Sequence, residues 1–229
     1  MKNINTMCIF VGIFALISII HISAIFFGKR KLRRISKVFI IPPLLAAYIA
    51  GTGNLLLFPV PALILGWIGD VLLITKEKKN HFKLGLVSFL LGHICYIITF
   101  IDLLGILKFD GAAGKINITA FAVSVPLAIF LGIAAFRFIK PSEEMLFPGI
   151  IYMIALETMA IWAMQVFIFN PGFAGAMIFS GALSFIISDI ILAYYTFRKL
   201  NRRGAVSIML LYILAQAGII LGLLSLLAA

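Results

Sequence analysis

Phe173-Ala-Gly-Ala-Met-Ile-Phe-Ser-Gly-Ala-Leu-Ser-Phe-Ile-Ile-Ser-Asp189-Ile-Ile-Leu-Ala-Tyr-Tyr-Thr-Phe197 contains one charged residue, Asp189, in a run that is otherwise apolar, small or hydroxylic. A helix rises about 1.5 Å per residue, so ~20 residues cross a hydrocarbon core of about 30 Å, and this run is long enough. Asp189 then lies well inside lipid. Insertion scales put the cost of an aspartate there at roughly 2.5–3.5 kcal/mol, and an intramembrane carboxyl is by default a functional candidate. A second one answers it from another segment, Asp70 in Leu65-Gly-Trp-Ile-Gly-Asp70-Val-Leu-Leu73.

The rest of the chain repeats the apolar pattern. Runs at 5–27, 38–50, 55–75, 84–107, 116–138, 145–169 and 205–229 join 173–197 to make eight membrane segments. The second is broken early by Pro42-Pro43, which kinks or delays a helix. At 229 residues, 63% hydrophobic and a mean hydropathy of +1.19, the chain is too apolar for a soluble domain. No hydrophilic stretch is long enough for a second domain. The expectation is an all-α, polytopic membrane bundle of eight transmembrane helices, with residues 1–229 as a single integral membrane domain.

The net charge of +11 is distributed as topology requires. The connections after segments one, three, five and seven hold sixteen Lys and Arg, counting Arg137 with Lys140; the other side holds only Lys2, Lys108 and Lys115. By the positive-inside rule both termini are expected on the non-cytoplasmic side, which requires an even number of spans. No basic patch interleaved with aromatics points to nucleic acid, so no nucleic-acid partner is expected. Membrane lipids are the expected surroundings, and a multi-pass place in a bacterial cytoplasmic membrane is the expected location. The N-terminal apolar run lacks a small-residue cleavage site before its basic cluster, which favours a retained first helix over a cleaved signal peptide. Cys8 and Cys95 have no metal-type or redox-type spacing and read as packing residues.

Depth brings several polar residues together. Counting from the nearest cytoplasmic cation, Asp70 lies roughly 9 Å in, Asp189 roughly 13 Å and His93 roughly 15 Å. Tyr212 and Gln216 enter from the same side in the last segment. Each should face the bundle interior, because polar groups facing lipid are penalised. A shared polar pocket follows. Gly66, Gly69, Gly85, Gly92 and Gly181, with Ser184 and Ser188, are small enough to let helices approach closely around it.

These motifs resemble the YhhN-like lysoplasmalogenase family. The resemblance rests on Gly69-Asp70, on Gly85-x3-Phe89-x3-His93-x2-Tyr96, on Gly181-Ala182-x2-Phe185-x2-Ser188-Asp189-x2-Leu192-Ala193, and on Tyr212-x2-Ala215-Gln216. Tyr152 and Met159 fit its looser pattern in segment six. The family commonly has a lysine beside or near a proline at the start of the second segment. Here Pro42-Pro43 has no adjacent lysine, and the nearest is Lys37, five positions earlier. Glu157 lies outside the pattern and is not carried over.

The resemblance implies a multispanning hydrolase that cleaves the vinyl ether bond of a lysophospholipid, the lysoplasmalogen, to a fatty aldehyde and a glycerophospho-base, with no cofactor and no metal. A vinyl ether is stable to base and labile to acid: slow proton transfer to carbon gives an oxocarbenium ion, which water attacks. Two carboxyls serve a related cationic transition state in glycoside hydrolysis. Asp70 and Asp189 are therefore the expected catalytic pair, sharing one proton and one charge. His93, Tyr96, Ser188, Tyr212 and Gln216 are the expected substrate- or water-positioning residues. His21 reads as packing, and Asp102 as solvated at its helix end.

Other functions make different demands. A zinc hydrolase wants about three protein ligands, commonly several His, while only His21 and His93 lie in membrane segments. A proton-coupled transporter would also use intramembrane carboxylates, and its usual internal repeat is not evident between the two halves. A non-catalytic lipid-binding or scaffold protein would bind without turnover.

Overall fold

The computed structural model describes residues 3–53, 56–74, 79–106, 114–196, 198 and 201–228. Among them are nine helices and no strand: α1 (Ile4–Phe26), α2 (Arg30–Val38), α3 (Ile41–Gly51), α4 (Pro59–Ile74), α5 (Lys79–Leu103), α6 (Ile118–Ile139), α7 (Glu143–Phe169), α8 (Phe173–Thr196) and α9 (Arg202–Ala228). Taking α2 and α3 as the halves of one span, seven are long and apolar enough to cross a membrane, and α4 is a shorter apolar helix. The described residues thus form an all-helical, multi-pass membrane protein in which seven helices can span and α4 is a shorter apolar helix at the position of the third of the eight expected segments. In lipid a helix satisfies its own backbone groups, which is why the apolar runs take this form. Side chains close the ends: Asn3 accepts from the Thr6 N–H and Asn117 from the Ala120 N–H.

The second segment differs from expectation. The cation-rich stretch 28–37 reads as a connection, yet from Arg30 it is helical. Gly28, at φ +69°, turns the chain out of α1. The helix then runs until the prolines stop it. Pro42 has no N–H to offer the Val38 carbonyl one turn back. The indole Nε1–H of Trp67 on α4 takes that carbonyl at 2.7 Å. A break in one helix thereby becomes a link to another, and it fixes the height at which Lys37 meets α4.

The core centres on α9, which packs tightly on α8. A β-carbon at Gly181 would lie 2.9 Å from the Ala215 oxygen, one at Gly218 2.9 Å from the Met177 oxygen, and one at Gly222 2.8 Å from the Ala174 oxygen. These are backbone atoms that cannot rotate away. Such close approach is how membrane helices gain packing where water supplies no hydrophobic drive. Gly218→Val should therefore lower thermal stability in detergent by about 1–3 kcal/mol, the scale of overpacking. An unchanged melting temperature would show that the two helices are not held this closely.

Helix α6 packs least. Val123, Leu127, Phe130 and Ile133 are exposed along it, as a lipid-facing surface requires. It contacts α7 and α8, and the space between it and α5 is open.

Candidate active site

The polar residues expected from sequence form two hydrogen-bonded groups around the ring of Phe185. In the first, Asp70 on α4 is buried, with Oδ1 3.2 Å from the Lys37 Nζ and Oδ2 accepting from the Tyr212 hydroxyl at 2.6 Å. Gln216, one turn beyond Tyr212 on α9, accepts from the Tyr96 hydroxyl at 2.6 Å. Gly66 makes room for this. A β-carbon there would sit 3.1 Å from the Gln216 Nε2 and 3.6 Å from the Tyr212 oxygen. Gly69 likewise admits Phe89, whose ring a β-carbon would meet at 2.6 Å.

In the second group, the Tyr152 hydroxyl on α7 donates to Asp189 Oδ2 at 2.5 Å. The same hydroxyl lies 3.1 Å from His93 Nε2, which is itself 3.7 Å from Asp189 Oδ2. Because Tyr152 donates to the carboxylate, its oxygen accepts from an Nε2–H, which leaves Nδ1 as the bare nitrogen; it has no partner among the described residues. Asp189 Oδ1 likewise has no protein partner among them. Phe185 joins the groups, its ring centroid lying 5.1 Å from that of His93, 6.4 Å from that of Tyr96 and 5.8 Å from that of Tyr212.

The two aspartates do not hydrogen-bond to each other; each has its own donors. Their surroundings differ as well. Asp189 lies on the wall of a groove bounded by Leu73, Phe89, Phe136, Met153 and Leu156, among others, in which Tyr152, Asp189 and Thr196 are the polar side chains. The groove encloses about 810 Å³ counted out to its mouth. It reaches Phe82 at the start of α5, Pro141 and Met145 where α6 turns into α7, and Thr196 at the end of α8, which places it at the end of the bundle where the basic connections lie. Asp70 is set back behind Phe89 and does not line it.

Of the residues expected from sequence, Asp70, Tyr96, Tyr212 and Gln216 share the first group and His93 and Asp189 the second. Ser188 is held elsewhere: its hydroxyl donates to the Ile208 carbonyl at 3.0 Å, fixing α8 against α9 one residue before Asp189. His21 is fully buried against Ser36, its Nδ1 2.8 Å from that hydroxyl. Glu157 faces Gly132 on α6 and lines neither group nor the groove. Among the described residues no three His, Cys, Asp or Glu side chains are placed to hold a metal ion. Two contributors have no site role in the sequence reading, which gives Lys37 only as the lysine nearest Pro42-Pro43 and Tyr152 only as a fit to a looser pattern. Lys37 is hidden by its place in a cation run, and Tyr152 by an ordinary apolar helix. The only advance sign of the lysine is its spacing from Pro42-Pro43.

No curated protein and no solved structure matches the chain. The model of the YhhN family does match, over residues 32–223, a span that includes Lys37, both hydrogen-bonded groups and the whole groove. The chain belongs to the YhhN family, a membership that supports a hydrolase of lysoplasmalogenase type.

Proposed function

We propose that the protein hydrolyses the vinyl ether bond of lysoplasmalogens, with Asp189 as the acid and Asp70 as the fixed anion. The observation that carries this reading is the position of Asp189: a carboxyl with one oxygen unclaimed among the described residues, on the wall of a largely apolar groove. The groove suits an alkenyl chain. Lys83 and Lys140, next in the chain to the lining residues Phe82 and Pro141, suit a phosphate in the facing leaflet, reached laterally from a bacterial cytoplasmic membrane.

The roles of the aspartates follow from their donors. Both oxygens of Asp70 receive hydrogens, from Lys37 and from Tyr212, so it has no proton aimed at a substrate and acts as a counter-charge. Asp189 Oδ2 is held by Tyr152, which leaves Oδ1 to present the acidic proton to the vinyl carbon. Transfer of that proton leaves an oxocarbenium ion beside the new Asp189 carboxylate. Water adds to the cationic carbon and gives its proton back to Asp189. The hemiacetal then collapses to the aldehyde and frees the glycerol hydroxyl, so the atoms balance with water as the only co-reactant. Tyr152, braced by His93, keeps the carboxyl aimed throughout.

Purified protein given a vinyl-ether lysolipid should release fatty aldehyde, and should leave the saturated-ether and ester analogues intact. Fatty acid from the ester would identify a lysophospholipase instead. Lipid binding without product would favour a transporter or carrier. Tyr152→Phe keeps the ring but removes the brace. The bond is to a carboxyl that becomes charged as its proton leaves, and a hydrogen bond to a charged group is worth about 1.5–3 kcal/mol, so kcat should fall roughly ten- to a hundredfold with KM little changed. A variant with normal kcat would remove Tyr152 from the mechanism.

A further inference from the structure

The opposite flank of the bundle holds a second cavity, polar where the groove is apolar. It lies between α1, α2 and α9 and shares no residue and no helix with the groove. Arg30 and Arg33 enter from α2 and Arg202 from α9, with Asn201 at the rim and Ala205 on the floor. The space measures about 510 Å³ counted to its mouth. Three guanidinium-bearing residues from two sequence-distant helices, Arg30 and Arg33 of α2 and Arg202 of α9, thus line one hollow. None of them has a carboxylate partner among the described residues.

The backbone adds to the positive field. Helices α2 and α9 both begin at this cavity, and the first N–H groups of a helix have no partner within it. The Asn201 side chain takes only the Gly204 N–H, at 2.6 Å. Gly28, at φ +69°, makes the turn that folds α2 back toward α9, and the Arg202 guanidinium passes 3.6 Å from where its β-carbon would be. A merely solvated basic surface would need neither the hollow nor the convergence.

We propose that this cavity is an anion site for a phosphate group, separate from the catalytic groove. Guanidinium forks match phosphate oxygens two at a time, and helix starts supply further donors. The phosphate can come from an anionic phospholipid of the surrounding leaflet or from free phosphate. Arg33 and Lys37 lie one turn apart on α2, so a bound anion would also steady the helix that delivers Lys37 to Asp70.

The test uses the full chain in detergent. Phosphatidylglycerol binding is followed by native mass spectrometry, with inorganic phosphate as a competitor. Arg30→Gln/Arg33→Gln/Arg202→Gln is compared with the charge-matched Lys31→Gln/Arg34→Gln/Arg203→Gln. The cavity variant should bind phosphatidylglycerol roughly tenfold or more weakly, the scale of losing charge-assisted contacts, while the control binds as wild type does. Arg33→Lys keeps charge and helix but loses the fork, and should weaken binding severalfold even if the triple variant misfolds. Displacement by inorganic phosphate would identify free phosphate as a sufficient ligand, and persistence of the lipid adduct would assign the site to the lipid. Equal weakening in both triple variants, or full binding by the cavity variant and by Arg33→Lys, would overturn the proposal.

Discussion

Asp189→Asn is expected to lower kcat for vinyl-ether cleavage by about a hundred- to ten-thousandfold, the range over which general acids contribute. The amide is nearly isosteric, and its oxygen can still accept from Tyr152, so the fold and the groove should survive. KM should change little, because the rest of the groove wall is largely apolar and stays intact. Steady-state aldehyde release by wild type and variant, with matched gel-filtration profiles, measures this. A variant that keeps more than about a tenth of wild-type kcat would mean that the proton comes from elsewhere, since even weak general acids give more than that. Asp189→Glu would be a poor rescue, because the longer arm moves the proton away from a carboxyl position that Tyr152 and His93 define.

Lys37→Met is expected to have the largest effect on stability. It removes the cation 3.2 Å from an Asp70 carboxyl that is 2% exposed. Breaking a buried pair by taking one partner costs about 3–5 kcal/mol, because the other charge stays buried and uncompensated. The same logic predicts partial recovery in Lys37→Met/Asp70→Asn, where no charge remains to be solvated. A double-mutant cycle on thermal unfolding isolates the pair. Strong coupling, with low activity in all three variants, is the expected result. Additive losses would show that Lys37 and Asp70 stabilise the protein independently. The contrast between the variants also separates roles: Asp189→Asn should be stable and inactive, and Lys37→Met both unstable and inactive.

Much of this was legible in the chain because lipid makes simple demands. Length and apolarity located the spans. The two aspartates stood out because nothing charged surrounds them. Depth along the helices brought Asp70, Asp189, His93, Tyr212 and Gln216 to one level, though it could not say which share a partner. That division depends on side-chain direction and on the ring of Phe185 between the groups. Lys37 stands out in the sequence only as the lysine nearest Pro42-Pro43, and the reason is physical. In a run of six cations between 29 and 37 one lysine looks like the rest, and only the helical continuation through Val38, with Trp67 bonded to the Val38 carbonyl, carries it up to Asp70. Ser188 stands beside Asp189 in the chain, but its hydroxyl donates to the Ile208 carbonyl of the neighbouring helix, a partner that the sequence does not indicate.

In the proposed mechanism a proton reaches carbon first and water then attacks the cationic carbon. Mass spectrometry of both products after turnover in doubly labelled water, carrying deuterium and heavy oxygen, tests it most directly. The mechanism predicts deuterium on the carbon next to the aldehyde, trapped at once by reduction, and no heavy oxygen in the glycerophospho-base, whose own oxygen is never displaced. Heavy oxygen in the glycerophospho-base would mean attack at the glycerol carbon and would contradict acid-catalysed vinyl-ether hydrolysis.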